Sequence, residues 1–238
     1  MWTLVIQKII NGLQPIIKCH QGVATRKVHT NQHVKNHTQC PLNGSDKACL
    51  GRWVWTCYQG KQNLALQVIT TYRPSIKNVR GVQTIYRQQQ PYLYRTKDDR
   101  SLLYTIIEDL WTYISQWREL GDQIVLTIEL NCNITSDNVT EIFANIGLTE
   151  TITHQHRATD LVPTYQSWSH PIYSIYTSST LKVSSGGYIK SGIITSYHHL
   201  LWLKIELNFA FSTKMDTLVP HTARMLNFQK PNTLKRFV

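Results

Sequence analysis

A carboxylate and an amide stand two residues apart, at Glu129 and Asn131, directly after an aliphatic run from Ile124 to Ile128. The run is short, rich in β-branched residues and entered through Gly121, which is typical of a strand buried on both faces. Side chains at i and i+2 of a strand share a face, so we expect both polar groups to project together from its carboxyl end. Open α/β sheets place their chemistry at that edge, although a strand that simply enters a turn would look the same.

Two further elements are predicted to position this strand. Apolar residues recur at three- and four-residue spacing from Leu102 to Leu120, which predicts a helix that ends at Gly121 and covers the sheet. Upstream, aromatic residues alternate from Gly51 to Tyr58, and a second apolar run extends from Leu64 to Tyr72. These two runs predict an antiparallel hairpin, which stops before Pro74 because proline cannot continue a central strand.

Other segments carry weaker patterns. Met1 to Cys19 is apolar but interrupted, which predicts a strand or short helix that joins the core and excludes a membrane span. His20 to Asp46 is polar and predicts a loop, and Asp137 to Ile146 predicts a short helix. Gly81 to Arg100 predicts a solvated connection, although its rings and cations would also suit stacking on bases and pairing with phosphates: Tyr86, Arg87, Tyr92, Tyr94, Arg95 and Lys97.

Histidines at two places have spacings that a metal site could use. His29, His33 and His37 recur every four residues, and His154 and His156 alternate. The first set lacks a convincing helical pattern, and two nearby histidines in a basic chain are more often simply exposed. We therefore expect neither group to be a metal site.

Composition limits the class of protein. The chain has 238 residues, of which 42% are hydrophobic and 16% charged, so it can bury a substantial core. Its 25 Lys and Arg against 14 Asp and Glu give a formal charge of +11, spread along the chain. This favours nucleic acid as a partner, although a merely basic protein fits as well. Five cysteines without a CxxC pair and no signal peptide predict an intracellular protein, nuclear or cytoplasmic.

Several motifs together resemble one family. Leu120 to Asn131 is similar to a segment of the endonuclease/exonuclease/phosphatase superfamily of metal-dependent phosphodiesterases, which carries Asp and, two residues later, Asn. The hairpin that ends at Tyr72 resembles the retroelement-type members. Here Glu129 stands at the position of the family's Asp. Thr164 to Tyr176 and Ser191 to Leu203 resemble two later motifs of the same family.

The two later motifs depart from the family in their carboxylates. Tyr173 stands where the family has an Asp beside the metal or the leaving-group oxygen, and Tyr197 stands where an Asp accompanies the retained His198. The family's first strands, one of which ends in a metal-binding Glu, find no counterpart before His20. The resemblance therefore implies an α/β fold, a sandwich of two mixed β-sheets flanked by helices, incomplete at the N-terminus. The resemblance covers about Gln21 to Leu207, and it implies a domain at residues 1–207 followed by a basic tail or linker at 208–238.

The resemblance also implies roles for four residues. Glu129 would be the metal ligand, with Mg²⁺ as the cofactor only if activity is retained, and His198, Asn131 and Tyr72 would be catalytic. Tyr72 could equally be a core residue with a hydrated hydroxyl.

The missing carboxylates would weaken the hold on Mg²⁺ and on the histidine. We therefore expect a catalytically impaired pseudoenzyme that retains nucleic-acid binding, to DNA rather than RNA, and no association with membranes. The alternatives are an active Mg²⁺-dependent phosphodiesterase that nicks DNA, using Glu129, Asn131 and His198, and a decayed reading frame without a selected function.

Overall fold

The computed structural model describes residues 2–6, 42–59, 64–76, 84–134, 138–156, 162–165, 169–189 and 199–206. The strands are β1 (Trp2–Ile6), β2 (Leu42–Ser45), β3 (Trp53–Gln59), β4 (Ala65–Tyr72), β5 (Gln123–Glu129), β6 (Leu148–Glu150), β7 (Tyr173–Ser178), β8 (Val183–Ile189) and β9 (Leu200–Ile205). The helices are α1 (Ile85–Thr96), α2 (Leu102–Glu119), α3 (Val139–Ala144) and α4 (Thr151–Gln155).

The strands form two sheets. The larger has the order β2-β3-β4-β5-β7-β6, in which β4 and β5 are parallel and the other neighbours antiparallel. The smaller has the order β1-β9-β8 and is antiparallel throughout. The prediction of two mixed sheets is therefore right for the first sheet and wrong for the second. For β8 and β9 the short connection favours the antiparallel arrangement, because a parallel pair needs a longer crossover.

The larger sheet is covered on both faces. One face packs on α2 and α3 in a cluster that includes Leu126, Ile69, Leu110 and Phe143. The other face packs on the smaller sheet, where Val125 shares a cluster with Leu203. Consecutive residues of β5 thus enter different cores, which is why the strand lacks an alternating pattern. The predicted sandwich with flanking helices is confirmed in this part of the chain.

Most of the predicted elements form. The hairpin of β3 and β4 pairs Trp53 with Thr71 and ends before Pro74. Helix α2 is capped by the Ser101 hydroxyl, which accepts from Tyr104 N at 3.4 Å, and ends before Gly121, whose φ is +85°. Helix α3 is shorter than predicted, and the start of the chain contributes β1. The predicted loop to Asp46 is wrong at its end, where β2 pairs with β3.

The predicted connection between Gly81 and Arg100 is wrong, because α1 occupies most of it. The Thr84 hydroxyl accepts from Arg87 N at 3.3 Å at one end, and Lys97 adopts a left-handed φ of +54° at the other. Pro91 and the glutamines before it suggested a loop. Burial of Leu93 against α2 offsets the cost of Pro91 inside the helix, since packing of one face supplies most helical stability in proteins. No helix in the described ranges is long and apolar enough to cross a bilayer.

Candidate functional site

Three residues form a row across the larger sheet at the edge where β4 and β5 end. Tyr72 is the register partner of Glu129, and Glu129 is the register partner of Tyr173. Registered residues of neighbouring strands share a face, so all three side chains lie on one side of the sheet. Tyr173 packs against the cluster between the two sheets, which identifies that side. We call these three residues the edge row.

The edge row places a buried carboxylate between two phenols. Glu129 is 3% exposed. Burial, and secondly the charge of Glu129, raises the pKa of Tyr72 to about 12, against a smaller opposing effect of its hydrogen bond with Asn131. The same two causes raise the pKa of Tyr173 well above its ordinary range. Both phenols therefore keep their protons at neutral pH and are poor bases and poor anionic ligands.

Asn131 reaches the edge row by a different route from the one predicted. Strand β5 ends at Glu129, and Asn131 has a left-handed φ of +53°, so the two residues do not share a strand face. Asparagine tolerates this conformation better than most residues. Its Nδ2 donates to Arg73 O at 2.7 Å, and its amide also bonds with Tyr72. Strand pairing thus brings Tyr72 beside Glu129, and a turn, not the strand, brings Asn131 to Tyr72.

Tyr173 connects two segments of backbone. Its hydroxyl donates to Thr164 O at 2.8 Å and also lies within hydrogen-bonding reach of His199 O. The backbone N–H of His199 donates to the same Thr164 O at 3.0 Å. Where the resemblance expects a carboxylate beside a metal, the structure therefore has a neutral hydroxyl that joins the loop at Thr164 to the chain entering β9.

Arg73 lies beside the edge row and was missed by sequence reasoning. It is 8% exposed; its Nε donates to Leu130 O at 2.9 Å and its Nη2 to Cys132 Sγ at 2.6 Å. These bonds hold the end of β4 to the turn after β5. In the sequence Arg73 only separates a predicted strand from Pro74. No sequence pattern indicates that its side chain contacts Cys132.

Glu150, a second buried carboxylate near the end of a strand, has a structural environment. It is 5% exposed and accepts from Ile152 N at 3.1 Å and Thr153 N at 2.6 Å, capping α4. The hydroxyls of Thr153 and Ser174 also donate to it. Burial raises its pKa despite these bonds. These contacts account for Glu150 as the cap of helix α4.

The described residues do not provide a complete magnesium site. Mg²⁺ requires near-octahedral oxygen coordination and is usually held by carboxylates. No group of three or more His, Cys, Asp or Glu side chains in the described ranges is placed to hold a metal. The edge row offers one carboxylate between two protonated phenols. Glu129 as a Mg²⁺ ligand thus stays a prediction.

Some of the residues that the sequence predicts to be functional lie outside the described ranges. His198 and Tyr197 fall outside them, as do His29, His33 and His37. His154 is exposed, and His156 Nε2 lies 3.1 Å from Gly186 O. The catalytic roles of His198, Asn131 and Tyr72 therefore also stay predictions.

Comparison with known proteins gives a partial likeness of fold. No family model and no curated protein matches the chain. The solved structures to which the chain is similar include two that are named as endonuclease/exonuclease/phosphatase proteins. The catalytic domain of human Nocturnin, with bound sulfate, shares 16% identity over 72% of this chain and 61% of that chain, with a TM-score of 0.44.

Two further structures show a similar degree of likeness. An AP endonuclease from Archaeoglobus fulgidus shares 12% identity over 71% of both chains, with a TM-score of 0.47. An endonuclease/exonuclease/phosphatase family protein from Bacteroides thetaiotaomicron shares 13% identity over 64% of this chain and 54% of that chain, with a TM-score of 0.41. The chain thus spans 61% and 54% of the lengths of Nocturnin's domain and the Bacteroides protein. At these values the likeness concerns part of the fold and carries no information about activity.

Proposed function

We propose that this chain is a degenerate, retroelement-type endonuclease/exonuclease/phosphatase domain, impaired in catalysis, that binds nucleic acid and prefers DNA to RNA. The observation that carries the proposal is the edge row. Its central carboxylate, Glu129, lies between the protonated phenols of Tyr72 and Tyr173. The proposal places the domain at residues 1–207 and the protein inside the cell.

The edge row is poorly suited to hydrolysis of a phosphodiester. Metal-assisted hydrolysis needs ligands that fix the cation and a group near neutral pKa that accepts a proton. Tyr173 supplies neither, because its pKa is raised and its hydroxyl is bonded to Thr164 O. Glu129 retains a charge, but its arm is one methylene longer than that of the expected Asp. A displacement on the order of 1 Å at a reacting group can lower a rate about a hundredfold.

Charge supports the binding part of the proposal. The chain carries a formal +11, and its excess of Lys and Arg is dispersed. Dispersed cations neutralise phosphates and release counterions, which gives weak, sequence-independent and salt-sensitive binding. We expect affinity for DNA to fall steeply as salt is raised.

A plasmid-nicking assay tests the catalytic part. Purified protein is incubated with supercoiled plasmid and Mg²⁺ or Mn²⁺, beside a Tyr173→Asp/Tyr197→Asp variant and an Asn131→Ala variant. We expect no nicking by the natural protein, and binding of the plasmid in a gel-shift measurement at low salt. Metal-dependent nicking by the natural protein that Asn131→Ala abolishes would show instead an active phosphodiesterase. Failure to bind DNA at low salt would overturn the binding part.

A further inference from the structure

Helix α1 has an outer face with no acidic residue and an unusually exposed aromatic ring. Tyr94 is 87% exposed. Arg87, Arg95 and Lys97 are also exposed, and the helix contains no Asp or Glu. An exposed ring flanked by cations and free of acidic residues makes this face a candidate for contact with a partner.

The helical period aligns Tyr94 with Arg87, while Arg95 lies about 100° around the axis from Tyr94. Arg87 and Tyr94 are seven residues apart and share a face, roughly 10 Å apart along the axis at about 1.5 Å per residue. The exposed Gln90 and Pro91 lie between them on that face. The opposite face buries Leu93 against α2. Packing of the helix thus fixes the orientation of its outer face without using any of the exposed groups.

The cations of this face differ from a nearby arginine that is fully paired. Arg100 contacts Asp98 at 2.6 Å, Glu108 at 2.8 Å and Asp109 at 3.2 Å. Within the described ranges, no ion pair or side-chain hydrogen bond engages the cationic groups of the α1 face: Arg87, Arg95 and Lys97. Their charges are therefore available to an external anion.

The combination of ring and cations indicates the form of the partner. Aromatic side chains stack on unpaired bases, and flanking Lys and Arg pair with phosphates, whereas the bases of a duplex are stacked on one another. We propose that the outer face of α1 binds single-stranded DNA, with Tyr94 stacked on a base and Arg87, Arg95 and Lys97 on phosphates. The choice of DNA rests on the function proposed above.

The acidic residues after α1 mark one end of this surface. Asp98 and Asp99 line a depression of about 570 Å³ together with Lys97 and Arg100. Arg100 pairs with Asp98, and the exposed Asp99 would repel phosphates there. The strand is therefore expected to lie over the helix from Arg87 to Lys97 and to leave the surface before Asp98.

The test measures binding of labelled single-stranded DNA by fluorescence anisotropy over a range of salt. We expect Tyr94→Ala to weaken binding about tenfold and Tyr94→Phe to retain it, because stacking needs the ring and not the hydroxyl. A triple variant, Arg87→Glu/Arg95→Glu/Lys97→Glu, should bind more weakly still. A plot of log affinity against log salt concentration should have a slope that is smaller in magnitude by about 2 for the triple variant. Each phosphate contact contributes roughly 0.7 to that slope, and the variant removes three cations.

Tyr104→Ala is the matched control. Tyr104 is a 56% exposed tyrosine on α2, near the exposed Glu108, and lies off the α1 face. Its removal should leave binding unchanged. Circular dichroism and thermal melting confirm that each variant keeps its helices, so weaker binding cannot be attributed to loss of fold.

The outcomes separate this inference from the proposed function. If the natural protein binds DNA and Tyr94→Ala and the triple variant bind equally well, α1 is not the binding surface and the proposed function stands. Tighter binding to duplex DNA overturns only the assignment of single-stranded DNA, whereas tighter binding to single-stranded RNA of the same sequence also overturns the DNA preference of the proposed function. If the natural protein binds none of these at low salt, both proposals are wrong.

Discussion

Strand β5 begins beside one buried carboxylate and ends on another, and the two have different surroundings. At the start, Asp122 is 5% exposed and accepts from Gln67 Nε2 at 2.7 Å, while Arg118 Nη1 donates to its backbone oxygen at 2.9 Å. At the other end, Glu129 lies in register with two tyrosines. One end is a polar network that joins a turn to the sheet, and the other is the edge row.

The difference shows that burial of a carboxylate does not by itself mark a functional site. Burial raises the pKa of Asp122, and the Gln67 hydrogen bond opposes that rise. The hydrogen bond that Asp122 accepts from Gln67 ties the turn before β5 to β4. Glu129 differs in the neighbours that its charge affects, the phenols of Tyr72 and Tyr173, whereas the charge of Asp122 contributes to the raised pKa of the Cys57 thiol. The surroundings of a buried acid, and not its burial, separate the two ends.

The largest expected effect on stability is at Asp122. Asp122→Ala would leave the buried Gln67 amide without its acceptor, which costs about 1–3 kcal/mol. Asp122→Asn keeps an acceptor oxygen and removes the buried charge, so it should destabilise the protein far less at neutral pH. Urea denaturation of both variants measures the free energies of unfolding. Equal losses in the two variants would show that the Gln67 hydrogen bond is not what holds this end of β5.

The pH dependence of stability sharpens the same point. The folded pKa of Asp122 is raised above its unfolded value of 3.8, so the folded state binds more protons and stability falls as pH rises through the folded pKa. Asp122→Asn removes this contribution. We expect its unfolding free energy to fall less than that of the natural protein as the pH is raised from about 4 toward 7. Parallel curves for the two proteins would contradict the raised pKa.

At the other end of β5, the hydroxyl of Tyr173 should contribute less. Tyr173→Phe removes the donor to Thr164 O, which still accepts from His199 N, so we expect a loss of about 1 kcal/mol in unfolding free energy. Tyr188→Phe is the control, because that buried hydroxyl has no hydrogen-bond partner among the described residues. Equal effects of the two changes would mean that the Tyr173 hydroxyl does not join the two segments.

Local patterns predicted the elements that support the edge row but not its contacts. The spacing of apolar residues in α2 and the continuous apolar run of β5 each carry enough residues to identify the element. The row itself depends on β7 being the neighbour of β5, which places Tyr173 beside Glu129. That pairing joins strands distant in sequence, and no local pattern encodes it.

Helix α1 is the opposite case, because its candidate contact residues were predicted and the helix itself was not. Its composition identified the exposed cations and tyrosines, but Pro91 and the preceding glutamines suggested a loop. The buried Leu93 and Gln89 that stabilise the helix are two residues among polar neighbours, and the packing on α2 becomes apparent only in the fold. The residue types that would contact a partner were thus predicted, while the element that orders them was not.

The smallest expected effect is a change in the pKa of Tyr72 when Glu129 is replaced. This pKa is also the most direct measure of the interaction within the edge row. Glu129→Gln removes the negative charge that contributes to the raised Tyr72 pKa of about 12. Burial is the larger cause, so the pKa should fall but stay above the ordinary value of 10.0. Carbon-13 NMR of labelled tyrosine rings, with the Tyr72 signal assigned from Tyr72→Phe, follows the titration.

Tyr58 is the internal control, because burial alone raises its pKa and Glu129→Gln should leave it unchanged. An unchanged Tyr72 would mean that the carboxylate and the phenol do not interact, and the two ends of β5 would then differ only in their hydrogen bonds.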